Sequence, residues 1–224
     1  MTIVPDDRDF VAPLVAPSKA AAAQSGNGDL VYMVSKRAFD LVFATIVLLP
    51  ATLIVAIALL VLNPFINKGP LIHVQKRMGR DCKPFRAYKF RSMFVQPRGM
   101  RGPDDPIEVE RITLLGNLLR RSRFDELPQI WNVYRGEMSL IGPRPDYFRH
   151  ACHYVRVIPG YRARHNVRPG ISGLAQIKHG YAAGLNATRL KTSADLIYIR
   201  QASLRLDLWI FWRTVVTVFR MRGA

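Results

Sequence analysis

A chain of 224 residues can bury one good core and carry a small appendage. Its 33 Lys and Arg against 16 Asp and Glu give a formal charge of +17, so its natural partners are anionic: nucleic acid, acidic lipid or phosphorylated small molecules. No Walker-type loop, GxGxxG, Cys/His zinc spacing or Ser/His/acid pattern appears, which removes those chemistries from consideration. Cys82 and Cys152 have no metal or redox spacing. They could pair, but read better as reduced thiols in a cytosolic setting.

Residues 1–34 read as a disordered tail, with Pro5, Pro13, Pro17, an alanine run and the Gly26-Asn27-Gly28 turn signal. The apolar segment that follows comes late for a cleaved signal peptide. From Leu41 to Leu62 there is no charge and no glycine, enough to enter a bilayer and without the polar face of a core helix. Pro50 near its middle should kink or break the helix. Basic residues stand on both sides: Lys36 and Arg37 before, and Lys68, Lys76, Arg77 and Arg80 after. A re-entrant hairpin fits that charge pattern, and so does a single crossing; either puts residues 63–224 in the cytoplasm.

Two β-type runs, Leu71 to Gln75 and Phe85 to Phe90, flank a turn-rich stretch and predict a β-hairpin. Alternation puts Arg86, Tyr88 and Phe90 on one face, and Phe85, Ala87, Lys89 and Arg91 on the other. Its bases are either a solvated edge or a phosphate-facing strand. Val95 to Pro106 reads as an exposed, mobile loop.

The stretch Arg111 to Pro145 concentrates the chemistry. Asp125 and Glu126 are adjacent, with Arg120, Arg121 and Arg123 before them and Pro128 after. Proline is tolerated in a first helical turn, which predicts a helix with Asp125 at its N-cap and Gly136 just past its end. The helix dipole and the arginines would then lower the pKa of Asp125. The same geometry receives phosphate, and a carboxylate beside it can bind a divalent metal or attack phosphorus. A plain capping role is the alternative. In Gly142-Pro143-Arg144-Pro145 two prolines stiffen the backbone around one guanidinium.

Tyr147 to Ile158 is helix-like. Arg162, Arg164, His165 and Arg168-Pro169-Gly170 form a basic run into a turn. Leu174 to Ile177 is expected as a short strand, and Thr192 to Gln201 as a helix with Asp195 in its first turn. Leu204 to Met221, with Trp209, Trp212, Arg213 and Arg220, reads as an in-plane membrane helix or an ordinary core helix.

Together these motifs resemble the bacterial sugar transferases, the monotopic phosphoglycosyl transferases, over residues 35–224. The resemblance is carried by Lys36-Arg37-Ala38-Phe39-Asp40, Gln75 with Arg77 and Gly79, Tyr88-Lys89-Phe90-Arg91-Ser92-Met93 and Arg111-Ile112-Thr113. It continues through Asp125-Glu126-Leu127-Pro128-Gln129, Asn132-Val133, Gly136-Glu137-Met138-Ser139, Gly142-Pro143-Arg144-Pro145 and Arg168-Pro169-Gly170. It implies an α+β, mostly helical monotopic membrane protein. The elements expected are a re-entrant helix hairpin over 35–66 broken at Pro50, a small β-hairpin, and in-plane amphipathic helices in a cytoplasmic catalytic domain over 67–224. The implied reaction moves a sugar 1-phosphate from a UDP-sugar to polyprenyl (undecaprenyl) phosphate in exopolysaccharide or related synthesis. Asp125 would carry the phosphosugar covalently and release UMP, with Glu126 assisting. Mg²⁺ is implied, with Asp125 and Glu126 as its ligands, and Lys89, Arg120, Arg144 and Arg168 are assigned to phosphate or nucleotide contacts.

The implied location is the cytoplasmic face of the bacterial inner membrane, among its lipids, with no nucleic-acid partner and homo-oligomerisation left open. The chain resembles the family's minimal form. It departs from the family at Leu49, where many members have Ser, at Leu174, and at Lys178-His179-Gly180, which puts donor or acceptor preference in question. The competing reading is a non-enzymatic, membrane-tethered basic module binding anionic lipid or nucleic acid; a catalytically degraded homologue is a third.

Overall fold

The long apolar segment is helical throughout. A computed structural model describes residues 27–67, 69–94, 108–180 and 184–220; the expected tail up to residue 26 and the expected loop 95–106 lie outside the described residues. The expected tail is helical from Asn27 onward: α1 spans Asn27–Phe43, a π-helical turn covers Ala44–Leu48, and α2 spans Leu49–Ile66. Pro50 falls in the first turn of α2, where its missing N–H leaves no donor unpaired. Just before it, Leu49 N–H reaches back to Ala44 O, so the backbone widens by one residue instead of breaking. From Leu30 to Ile66 this helix is long and apolar enough to cross a membrane, and little of its most apolar stretch is covered by the rest of the protein.

The rest of the described chain is α+β. β1 (Ile72–Met78) and β2 (Pro84–Phe90) form the expected antiparallel hairpin, with Gln75 opposite Ala87. Phe85 and Ala87 pack with Ile130, Val133, Met138 and Ala44. Phe90, on the other side, packs with Leu59 of α2 and Leu119. So both faces of the hairpin are covered, each in part by the apolar helix.

α3 (Leu114–Arg121) begins at Thr113, whose hydroxyl accepts from Gly116 N at 2.9 Å. A 3₁₀ turn, Phe124–Gln129, leads into the short α4 (Ile130–Tyr134). Gly136, at φ +74°, then reverses the chain. β3 (Ser139–Ile141) pairs in parallel with β4 (Gly170–Ser172). Between them lie α5 (Phe148–Val157) and a 3₁₀ turn, Tyr161–Asn166.

Two elements differ from expectation. Leu174 to Ile177 is not a strand but the start of α6 (Leu174–His179). Gln176 N and Ile177 N bond back to Gly173 O, and a four-residue apolar run carries no period that separates the two states. The next helix, α7 (Leu185–Arg200), starts well before Thr192 and puts Asp195 in its middle, buried. α8 (Leu204–Phe219) is capped by Ser203. It buries Ile210 against Leu140, Ile141, Leu174 and Tyr198 and sets Phe211 edge-on to Phe39 and Phe43 of α1. Trp209 and Trp212 stay exposed, the amphipathic arrangement that suits a lipid boundary.

Candidate active site

The acid pair rides on the 3₁₀ turn because α3 stops abruptly at Ser122 and Arg123. Ser122 Oγ bonds back to Leu118 O at 2.9 Å, and Arg123 takes the left-handed conformation, φ +58°. The turn is fastened over β2 by Asn132, fully buried in α4. Its Nδ2 donates to Arg86 O and Glu137 Oε2, both at 2.7 Å, and its Oδ1 accepts from Tyr88 N at 3.3 Å. Lys89, next along that strand, is thereby set beneath the acids.

Asp125 and Glu126 are both buried, at 7% and 4% exposure, but they are held differently. Glu126 is tied on both oxygens: Lys89 Nζ donates to Oε1 at 2.7 Å, Arg144 Nη1 to Oε2 at 3.0 Å, and Arg144 Nη2 also to Oε1. Asp125 has only an ion-pair contact, Lys89 Nζ to Oδ2 at 3.7 Å, beyond hydrogen-bond length. Among the described residues no side chain donates a hydrogen bond to it.

The electrostatics follow. Burial would raise the pKa of Glu126, but the charges and hydrogen bonds of Arg144 and Lys89 outweigh it and hold the carboxyl well below its ordinary value. Asp125 goes the other way. Burial raises it, the neighbouring Glu126 charge adds to the rise, and Lys89, Arg144 and Arg120 only partly oppose it. Lys89 itself is lowered by burial, with Glu126 opposing.

The expected N-cap with a depressed pKa is therefore corrected. Asp125 sits inside the first 3₁₀ turn and caps nothing, and α4 has only five residues, too short to aim a large dipole at it. The cations that face it also differ from those expected. Arg121 is exposed at the end of α3. Arg120 is near enough to act on Asp125 but donates to Ser92 Oγ at 3.0 Å and to Met93 Sδ. Lys89 and Arg144 are the close ones. Arg168 is not brought to the acids: its Nε donates to Gly136 O at 3.0 Å, and its charged neighbours are Arg37, Arg80 and Asp40.

Arg144 projects from a loop whose backbone is fixed from several sides. Gly142 N donates to Ser172 O at 2.8 Å and Gly170 N to Pro143 O at 3.0 Å. Arg77 donates to Pro145 O and, at 2.8 Å, to Gln75 Oε1. Behind the loop lies an ion-pair group that sequence reasoning missed. Arg164 pairs with Asp146 and, at 2.7 Å, with Asp195 Oδ2, while Tyr161 OH donates to Asp146 Oδ2 at 2.6 Å. Burial pushes Asp146 up, but Arg164 and Tyr161 hold it at about 2; burial takes Asp195 up to about 6 against the pull of Arg164. The available signal was the polar stripe Thr188, Thr192, Asp195, Tyr198 at helical spacing, all buried. An acid in such a stripe requires a buried cation.

Among the described residues no three Asp, Glu, His or Cys side chains gather as a metal cluster. Both Glu126 oxygens are held by Lys89 and Arg144, so of the two expected ligands Asp125 is the one that fits Mg²⁺, which keeps waters and commonly takes one or two carboxylates together with substrate phosphates. The fit needs a diphosphate to complete it.

Cations clustered around a buried acid pair, beside a bare apolar helix, make a site whose chemistry suits phosphorylated ligands near a membrane surface. The chain belongs to the bacterial sugar transferase family, whose model matches residues 31–221. It is 41% identical over 195 residues to the UDP-N-acetylgalactosamine-undecaprenyl-phosphate N-acetylgalactosaminephosphotransferase of Aeromonas hydrophila, covering 87% of this chain and 46% of that protein. Against the UDP-glucose:undecaprenyl-phosphate glucose-1-phosphate transferase of Klebsiella pneumoniae it is 40% identical over 201 residues, 86% of this chain and 42% of the other. The exopolysaccharide production protein PSS of Rhizobium leguminosarum bv. phaseoli is 36% identical over 201 residues, 83% of this chain and 95% of that one. The chain thus spans less than half the length of the first two relatives and nearly all of the third.

Proposed function

We propose that this chain transfers a sugar 1-phosphate from a UDP-sugar to undecaprenyl phosphate, through a phosphosugar carried on Asp125. The observation that carries the reading is the unequal treatment of the two acids. Glu126 is locked by Lys89 and Arg144, whereas the carboxylate of Asp125 stands beside the same cations with no hydrogen bond among the described residues. A nucleophile needs that freedom, and its neighbours supply the charge neutralisation that attack on phosphorus demands. The names of the relatives support the substrate classes.

In the first step an Asp125 oxygen forms a bond to the β-phosphorus, and the bond from that phosphorus to the oxygen bridging it to the α-phosphorus breaks, releasing UMP. In the second, a phosphate oxygen of undecaprenyl phosphate attacks the same phosphorus, and the bond to Asp125 breaks, restoring the carboxylate. Lys89 and Arg144 neutralise the phosphoryl oxygens, Glu126 holds those two cations in place, and Arg120 lies near enough to meet a donor phosphate. Arg168 is left out of this set because its contacts lie elsewhere. Mg²⁺, held by Asp125 with the donor diphosphate, would neutralise further phosphoryl charge.

The same reading divides the chain into a re-entrant membrane helix over 35–66 and a catalytic domain over 67–224 on the cytoplasmic face of the bacterial inner membrane. Supporting the re-entrant form, both ends of the helix make polar contacts with one body: Lys36 Nζ to Asp207 Oδ2 at 2.8 Å, and Asn67 Oδ1 from Arg91 Nη1 at 3.0 Å.

The test is to incubate purified protein with a panel of UDP-sugars and no lipid. Expected are UMP release of about one equivalent per chain and a mass gain of one sugar phosphate, both lost in Asp125→Asn. No release with any donor would favour a binding module instead; full release by Asp125→Asn would remove the nucleophile assignment.

A further inference from the structure

The loop that carries Arg144 cannot be held by an ordinary strand ladder. Pro143 and Pro145 have no N–H to donate, so its carbonyls must find donors elsewhere. Four in succession do, from three separate parts of the chain. Pro143 O accepts from Gly170 N at 3.0 Å, Arg144 O from Arg164 Nη2 at 2.8 Å, Pro145 O from Arg77 Nη1, and Asp146 O from Met78 N at 3.2 Å.

Arg164 is the deeper of the two side-chain donors, only 4% exposed. Its guanidinium lies over the Tyr161 ring, 4.8 Å from the centroid, and is shared between Asp146 and Asp195. A buried cation needs its carboxylates. It has no need of a third contact to the one carbonyl in the loop that belongs to Arg144. That contact couples the buried ion pair to the residue whose side chain meets Glu126.

We infer that Arg164 is a positioning residue of the transfer reaction: seated between Asp146 and Asp195, it fixes the backbone of Arg144 and so the guanidinium that meets Glu126. The inference rests on the transferase reading given above. Asp195, 1% exposed on α7, belongs to the same device, since its Oδ2 lies 2.7 Å from Arg164 Nη2, the nitrogen that donates to Arg144 O. Lys would keep the charge between the two acids but cannot present the planar fork that reaches both an acid and the Arg144 carbonyl.

The test is a double-mutant cycle on the full chain in lipid nanodiscs, with wild type, Arg164→Lys, Arg144→Ala and the double variant, scoring kcat and KM for UMP release. Because displacing a reacting group by about 1 Å can cost up to two orders of magnitude in rate, Arg164→Lys is expected to lower kcat by about tenfold or more, with KM nearly unchanged. If Arg164 acts through Arg144, adding Arg164→Lys to Arg144→Ala costs nothing further. Should Arg164→Lys not fold, Asp195→Asn takes its place in the cycle with the same expectation. Losses that simply multiply, or a kcat for Arg164→Lys equal to wild type, would overturn the inference and leave the transferase reading intact. A wild type that releases no UMP would overturn both.

Discussion

At the residue scale the acid pair shows what a sequence can and cannot disclose about a site. The adjacent carboxylates, the nearby cations and the Lys89 and Arg144 motifs were all legible. Their state was not, because desolvation depends on which elements cover the 3₁₀ turn, and no local pattern encodes that. The outcome is that Asp125 titrates above an ordinary carboxylate and Glu126 well below one. A carboxylate nucleophile acts ionised, so the first step should fall off on the acid side at a higher pH than an ordinary Asp would give. Lys89 is the largest influence lowering the Asp125 pKa. Removing that charge in Lys89→Met should therefore move the acid limb further up in pH, besides lowering the plateau. Glu126, already ionised in this window, adds no limb of its own. A pH profile of first-turnover UMP release measures this. A limb that stays in place or moves to lower pH in Lys89→Met would contradict the account.

At the element scale, the apolar helix, the hairpin and the turn glycines could be read from period and composition, because burial on one face leaves a pattern. The pairing of β3 with β4 could not. Both strands have three residues, and what joins them is backbone approach, which leaves no hydrophobic signature. That pairing also accounts for Arg168-Pro169-Gly170, read from sequence as the end of a basic run into a turn. Ser139 N donates to Pro169 O at 2.9 Å, and the glycine is required by contact. A Cβ on Gly170 would lie 2.1 Å from Gly142 N, and one on Gly142 would lie 2.7 Å from Arg168 O. Because the obstacle is backbone on both sides, Gly170→Ala must push β3 and β4 apart, a cost of about 1–3 kcal/mol or more. Thermal unfolding in detergent should show the loss, together with a fall in kcat, since Arg144 follows β3 in the chain. A Gly170→Ala protein with wild-type stability and rate would show that this pairing does not hold the site.

At the scale of the whole molecule, the question is how one body meets the bilayer. At its N-terminal side the apolar helix is held by Tyr32 OH and Lys36 Nζ on Asp207, by Arg37 on the Val133 and Tyr134 carbonyls, and by Leu140 N on Asp40. At its C-terminal side the buried Arg91 donates to Asn63 Oδ1, Asn67 Oδ1 and Pro70 O, closing carbonyl and amide groups that would otherwise be orphaned at the helix end. Between these anchors the side chains of Ile46, Ile54 and Ile57 are bare, at 69%, 69% and 63% exposure. A helix that crossed the bilayer would carry one of its ends to the far side, and a charged body cannot accompany it through hydrocarbon. Anchoring at both ends to the same body supports the proposal that both ends share one face. Single cysteines at Met33 and Pro70, both exposed, test this with a membrane-impermeant maleimide on intact spheroplasts and on lysed ones. The native Cys82 and Cys152 are buried and would be replaced by Ala to remove background. Both introduced thiols should react only after lysis. If either one reacts in intact spheroplasts while the other does not, the helix crosses, and the contacts at one of its two ends cannot exist in the membrane.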